Sequence, residues 1–500
     1  MQRRATRLSS TLRLRPEGSS SKSSAAAKLW SVLFAILAGC VNQHKEVQTY
    51  RDVVDAGLSR PASYQSGQTL SLDRAMALAN QDNEQIALQG ENYLQALIAK
   101  NRAFAAFLPT VSFQPSFTIE QRPAIASAFG PITPAVISAD ALSSGFVANG
   151  NTWHSFQAPV VGSMELNLSS LPNLHSAEQT VEQQRQLLLD AQATVLLNVA
   201  ETYYQVLRSE QQVVVLSNSL AVDAERLRQV EGRFQNHLAL ALEVSQTRAQ
   251  AAATQVSLTQ ARNDVRDGRR TLAYLLGVPA VDGSLVDDVT VPQTLLPVDA
   301  FRQLAASTRP DLLAAQAQVR AAKYAVDAAI SEYYPTVTLN VAGFLYREYF
   351  SQASKWDAIL QANLPIFSAG IIEADVRAAW SKLRQAALYE SELRRQIDQD
   401  VQTAYDNLVT SGRQLGNLHA EVQAAADARV QAGQLLDNGL AVPLDVLTAQ
   451  DTLLNAQLNY TSESFDRTVF YLDLLRIVGQ LTPLAPRQWQ ATTRPATQPD

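Results

Sequence analysis

The single cysteine of this 500-residue chain, Cys40, stands directly after Leu37-Ala38-Gly39. A thiol placed there, behind a short apolar run and two small residues, can form a thioether to lipid. The motif looks like a bacterial lipobox, in which the cysteine is acylated and becomes the new N-terminus. The other reading is an ordinary export signal with an incidental free thiol, which would be exposed to oxidation outside the cytoplasm. The histidines offer no comparable chemistry: His44, His154, His175, His237 and His419 are scattered singly, and no spacing among them suits zinc. Gly-x-Gly-x-x-Gly, the phosphate-binding Gly-x-x-x-x-Gly-Lys-Ser/Thr and Gly-x-Ser-x-Gly are all absent. The expectation is a chain without catalytic residues, metal or cofactor, whose one covalent modification is lipidation at Cys40.

The residues before Cys40 agree with export. Residues 1–39 carry seven Lys/Arg against the single acid Glu17, and the apolar run Leu29 to Leu37 is nine residues long. A membrane-spanning helix needs about 20 residues, so this run suits a secretory signal instead. Val41 follows the cysteine where an inner-membrane retention signal would usually have Asp, which points to the outer membrane. Without residues 1–39 the chain has 34 basic and 46 acidic residues, a balance of -12 that repels phosphate backbones. No nucleic-acid partner is expected. With 18% charged and 46% hydrophobic residues, the chain is neither a disordered polyelectrolyte nor a stack of membrane-spanning helices, and one cysteine excludes a disulfide-stapled fold.

An internal repeat organises the rest. At an offset of 226, Leu70, Asp73, Leu78 and Ala79 meet Leu296, Asp299, Leu304 and Ala305, and Pro109-Thr110-Val111-Ser112 meets Pro335-Thr336-Val337-Thr338. At an offset of 202, Asn236-His237-Leu238-Ala239-Leu240 falls on Asn438-Gly439-Leu440-Ala441-Val442, and Gly277 on Gly479. The difference places extra length in the first half, with the Gly/Pro/Ser/Ala-rich stretch 124–151 the natural site for a longer loop. The resulting division is a signal over 1–39, a lipidated tail over 40–69, a first repeat over 70–277, a linker over 278–295, a second repeat over 296–479 and a disordered tail over 480–500.

Within each repeat the hydrophobic period changes. Residues 110–120 alternate strictly, with Val111, Phe113, Pro115, Phe117 and Ile119 on one face, as in a strand with one apolar side. Further strands are expected over 164–169, 336–346 and 356–364, giving four in all. A period of seven follows: Val199, Val206, Val213, Leu220, Leu227 and Phe234 form one seam, and Val401, Leu408, Leu415, Val422, Arg429 and Leu436 its counterpart, broken only by Arg429. No proline interrupts 174–235 or 371–437, so each can be one helix of about 60 residues and roughly 90 to 100 Å. The chain turns after Asn236 and Asn438. Helices then restart near Ala241 and Pro443 and end near Gly277 and Gly479, which suit left-handed C-terminal positions. His237 is expected to be a turn residue tolerating positive φ.

Alternation alone leaves two readings of the strands, half-buried hairpins of a soluble α+β protein or membrane strands with lipid on one side and a lumen on the other. Export and strand length favour the second. Four strands cannot close a barrel, which takes about eight, so insertion would require oligomerisation.

The order of helix, Pro-initiated strand, returning strand, very long helix, Asn/Gly tip and rising helix, twice over behind a lipobox, resembles the TolC-type outer-membrane factors, in particular the efflux lipoproteins. The most specific motifs are Asn438-Gly439-Leu440-x-x-x-Leu444-Asp445-Val446-Leu447-x-Ala449 and Leu364-Pro365-Ile366-Phe367-x-x-Gly370. The resemblance implies a mostly α fold with a membrane β-barrel: two repeats of long coiled helices and two strands each, assembled as a homotrimer into a continuous β-barrel and α-barrel duct. It implies an outer-membrane site in a Gram-negative bacterium and partnership with a periplasmic adaptor, or membrane fusion, protein and an inner-membrane transporter. It makes Asn236, His237, Leu238, Asn438, Gly439 and Leu440 adaptor-contacting tips, and Asp445, with its repeat equivalent Glu243, a periplasmic gate that in a trimer gathers six carboxylates. Both acids also suit a helix N-terminus on dipole grounds alone. The leading function is a passive exit duct of a tripartite efflux system. A protein-secretion duct and a lipid-anchored coiled-coil spacer are the alternatives.

Overall fold

A computed structural model describes residues 43–55, 63–121, 152–347 and 354–482. Cys40, the expected signal over 1–39, the whole 124–151 stretch and residues 483–500 lie outside the described residues. The chain separates into Met1–Gln48 and Thr49–Asp500, and the following concerns the second unit. Its elements in chain order are α1 (Gln43–Val54, which crosses the boundary), β1 (Leu70–Ser71), α2 (Leu72–Asp82), α3 (Glu84–Ala105), β2 (Thr110–Phe113), β3 (Ser116–Gln121) and β4 (Thr152–Leu166). There follow α4 (Ser170–Gln235), α5 (Ala241–Leu275), β5 (Leu285–Val286), α6 (Val298–Thr308), α7 (Pro310–Ser331), β6 (Thr336–Arg347), β7 (Trp356–Asn363), α8 (Ile371–Asp437) and α9 (Pro443–Ile477).

The seven-residue seams become the two longest helices, α4 with 66 residues and α8 with 67, each about 100 Å at the α-helical rise. Each returns through a 35-residue helix, α5 or α9. Val199, Val206, Val401 and Leu408 are fully or almost fully buried, whereas Phe234 at the far end of α4 is exposed. The hydrophobic driving force is therefore concentrated away from the turns. The main core gathers α2, α3, the first half of α4, α6, part of α8 and the end of α9 around Tyr203, Tyr204, Phe301 and Leu72.

The sheet is antiparallel throughout, in the order β2/β3, β4, β6, β7. Residues 110–120 do not form one strand, as their alternation suggested. Gln114-Pro115 divides them into β2 and β3, both paired in one register with β4, whose pairing with β6 on its other side shifts register between Ala158 and Pro159. Proline has no N–H to give a ladder, so an interior strand keeps it at an irregularity. Strand β4 is also longer than the expected 164–169.

Register settles which residues share a face. Val111 pairs with Gly162, Phe113 with Val160, Val341 with Gly162 and Ala358, and Leu339 with Met164 and Leu360. One face thus reads Val111, Phe113, Val160, Met164, Leu339, Val341 and Leu360 across four strands. The other is mostly polar, with Thr110, Ser112, Ser163, Glu165, Thr338, Asn340, Asp357 and Gln361, and Val161, Ala342 and Ile359 among them. Val111, Phe113 and Leu360 are exposed, so the chain itself leaves this apolar face uncovered. Strands β2/β3 and β7 each have one unpaired edge among the described residues. Among those residues no helix is long and apolar enough to cross a membrane.

Two stretches expected to be plain connections are structured. The first, within the 40–69 tail, holds α1: Tyr50 and Val54 are buried, and the Tyr50 ring occupies the space where a Cβ on Gly90 would sit. The second, within the 278–295 linker, holds β5, which pairs in parallel with β1. Tyr203 fastens that pair, its hydroxyl accepting from the N–H of Val286 at 2.9 Å and donating to Leu70 O at 2.7 Å. Burial is the main reason the Tyr203 phenol is pushed far above its ordinary range.

Candidate functional site: the helix-reversal tips

The two tips have the same backbone chemistry although their residues differ. Helix α4 ends at Gln235, and His237 takes φ +61°. Leu238 N–H then reaches back to Arg233 O at 2.8 Å, and His237 N–H to Phe234 O at 3.0 Å. At the end of α8, Gly439 takes φ +75°, Leu440 N–H reaches Leu435 O at 2.8 Å and Gly439 N–H reaches Leu436 O at 3.0 Å. These are left-handed helix stops in which the reversed residue lets the last carbonyls find donors. The amides of Asn236 and Asn438 add matching bonds, Nδ2 to Gly232 O and to Gln434 O, each 2.8 Å. Gly277 and Gly479 end α5 and α9 in the same conformation.

Beyond each stop the chain presents apolar side chains to solvent. Leu238 is 68% and Leu440 76% exposed, and Leu240, Leu242, Val442 and Leu444 accompany them. Four of the six expected tip contacts, Asn236, His237, Asn438 and Gly439, are thus occupied in shaping the turns, while Leu238 and Leu440 have free apolar surface.

Asp445 and Glu243 occupy the same third position of their helices, α9 and α5. Their environments differ. Asp445 Oδ2 accepts the N–H of Val442 at 3.0 Å, so its carboxylate caps its own helix. Glu243 faces Arg226 of α4, whose charge is also favoured by Asp437 at the end of α8. Arg226 is partly desolvated, which lowers its pKa, and its Nη2 has no hydrogen-bond partner among the described residues.

A groove between α4, α8 and α9 lies next to the tips. Asp223, Arg226, Arg429, Asp437 and Gln450 line it, so Arg429, the break in the apolar seam, faces this groove. Asp223 is 3% exposed and accepts from Thr254 Oγ1 at 2.7 Å, and burial raises its pKa. Gln450 donates to Ser219 Oγ at 3.3 Å. The heptad reading missed this polar layer because Asp223 and Gln450 lie outside the seam positions. Only Arg429 hinted at it.

Long helical hairpins joined to an antiparallel sheet with one apolar face are the arrangement that the resemblance to the TolC-type outer-membrane factors implies. Comparison with known proteins agrees. Residues 301–480 match the family described as outer membrane efflux protein. The chain is 25% identical over 341 residues to the outer membrane efflux protein BepC of Brucella suis, covering 62% of this chain and 68% of BepC. It is 22% identical over 355 residues to the probable outer membrane lipoprotein SilC of Salmonella typhimurium, covering 67% and 76%. Among solved structures, the outer membrane protein VceC of Vibrio cholerae superposes with a TM-score of 0.69 at 18% identity, over 82% of this chain and 96% of that one. The Campylobacter jejuni CmeC outer membrane channel superposes with a TM-score of 0.70 at 16% identity, over 89% and 95%. The resemblance to the TolC-type outer-membrane factors therefore holds in sequence and in fold.

Proposed function

We propose that the chain is the outer-membrane channel component of a tripartite efflux system. Three copies, with the divided β2/β3 counted as one strand, contribute twelve strands to one barrel and their long helices to a periplasmic tunnel. The trimer is a passive, non-enzymatic exit duct for small molecules passed on by an inner-membrane transporter through a periplasmic adaptor. Acylation at Cys40 adds a lipid anchor, and the tips at Asn236 to Leu238 and Asn438 to Leu440 meet the adaptor. The apolar band from Val111 to Leu360, carried on one face of an open sheet with two free edges, is the observation that supports this reading best. An exposed face of that kind needs lipid, and unpaired edges in lipid need neighbouring strands. The efflux name of BepC favours small molecules over secreted proteins.

Purified protein in a planar lipid bilayer should give discrete single-channel conductance, and its mass in detergent should correspond to three protomers. A stable monomer, soluble without detergent and silent in the bilayer, would leave the spacer reading instead. Radioactive palmitate should label the wild type and not Cys40→Ser.

A further inference from the structure

Four helices meet at a charged junction that the duct reading does not use. Arg309, 5% exposed, precedes the first residue of α7. Its Nε donates to both carboxylate oxygens of Asp311, at 2.9 and 3.0 Å, and its Nη1 to Asp400 Oδ2 on α8 at 3.1 Å. From α9, Arg476 Nη2 donates to Thr194 Oγ1 at 3.2 Å and lies 3.9 Å from Asp190 Oδ1, both on α4. Asp473 of α9 lies within electrostatic reach of Arg476, Arg309 and Asp400, and Glu201 of α4 within reach of Asp473 and Arg476. The junction therefore sets five carboxylates, Asp190, Glu201, Asp311, Asp400 and Asp473, against two guanidiniums.

The two cations are already committed. Arg309 holds Asp311 and Asp400, which leaves Asp190 with one long contact to Arg476, and Asp473 without an ion pair among the described residues. Carboxylates crowded in a partly buried site favour the neutral form, and a protonated one can donate its O–H to a neighbour that previously repelled it. Burial first, then Asp311, raises Asp190 above the ordinary carboxylate value; Arg476 and Arg309 oppose the shift. Burial likewise raises Asp473, with Asp400 adding to it.

We propose that this junction is a proton-operated clamp: protonation of the surplus carboxylates Asp190 and Asp473 draws α4, α7, α8 and α9 together and hardens their meeting point in mild acid. The folded chain binds more protons than the unfolded chain between the ordinary carboxylate value and the raised one. Stability from the junction thus rises as pH falls through that interval, and is lowest above it.

Hydrogen exchange on the full chain in detergent micelles tests this. From ~pH 7.5 to ~pH 5, amides over 305–315 and 470–478 should exchange roughly three- to tenfold more slowly once chemical exchange rates are corrected for. Asp190→Asn/Asp473→Asn, which imitates the protonated pair, should be slow at both pH values, and Asp473→Asn alone should lie between. Arg476→Gln should enlarge the pH effect. Protection independent of pH in the wild type, or the same pH dependence in the double variant, would overturn the clamp. Neither result bears on conductance, so the clamp and the duct can fail separately.

Discussion

Because Asp445 Oδ2 accepts the N–H of Val442, removing its carboxylate changes two things at once. Asp445→Ala loses the cap, worth about 1 kcal/mol, together with the charge. Asp445→Asn keeps a side-chain acceptor and loses the charge alone, and Glu243→Gln is its counterpart in α5. If the acids form a selective gate, the double amide variant should show weaker cation preference in a planar bilayer, close to that of the double alanine variant. Selectivity retained in the amide pair would assign both acids to helix capping and electrostatics within the chain. The tips allow a second test at this scale. His237 holds φ +61°, a conformation that costs an L-residue about 1 kcal/mol relative to glycine, whereas Gly439 holds φ +75° freely. A Cβ on Gly439 would meet nothing within 4 Å, so Gly439→Ala incurs only the conformational cost. His237→Gly should slow amide exchange at the first tip about fivefold, and Gly439→Ala should speed it at the second by a similar factor.

At the scale of elements, the parallel pair β1 and β5 ties the start of the first repeat to the segment between the repeats, and it has only two residues a side. A pair that short does not persist unaided. Its support is Tyr203 from α4, so Tyr203→Phe leaves the N–H of Val286 without an acceptor and Leu70 O without that donor. The expected loss is about 1 to 3 kcal/mol of local stability. Limited proteolysis should then cleave within 278–296 faster than in the wild type while the long helices stay intact. Unchanged cleavage would mean that the neighbouring core, with Leu70 and Leu285 buried in it, holds the pair without the hydroxyl.

For the whole molecule, the decisive question is what covers the two faces of the sheet. Leu339 and Asn340 are adjacent in β6 and point to opposite sides, the first into the apolar band and the second to the more polar side, opposite Ser163 and Ile359. In a barrel with lipid outside, Leu339→Arg should destabilise by about 2 to 4 kcal/mol if it lies near the midplane, and should sharply reduce the amount of trimer recovered from membranes. Asn340→Arg should assemble normally and shift the conductance or its ion preference. Equal tolerance of both substitutions would show that neither face meets lipid.

The local parts of this protein were legible in its sequence because they depend on residues close in the chain. A period of seven without proline specified α8 at its observed bounds and α4 to within four residues at its start, and Asn-His and Asn-Gly marked the reversals that satisfy the last helical carbonyls. Strict alternation likewise located residues 110–120 in the sheet, although not their division, while the strand expected at 164–169 caught only the end of β4. What it left open needed partners far away in sequence. Helix α1 keeps its place through Tyr50 against Gly90, and β5 through Tyr203. The division at Pro115 and the shift beside Pro159 both needed β4 in place: β2 and β3 keep one register on it, while its pairing with β6 shifts between Ala158 and Pro159, where a proline without an N–H interrupts the ladder. The gathering of Asp190, Arg309, Asp400 and Asp473 had no sequence signature at all. Their spacing carries no periodic pattern, and only the packing of four helices decides that five acids must share two arginines.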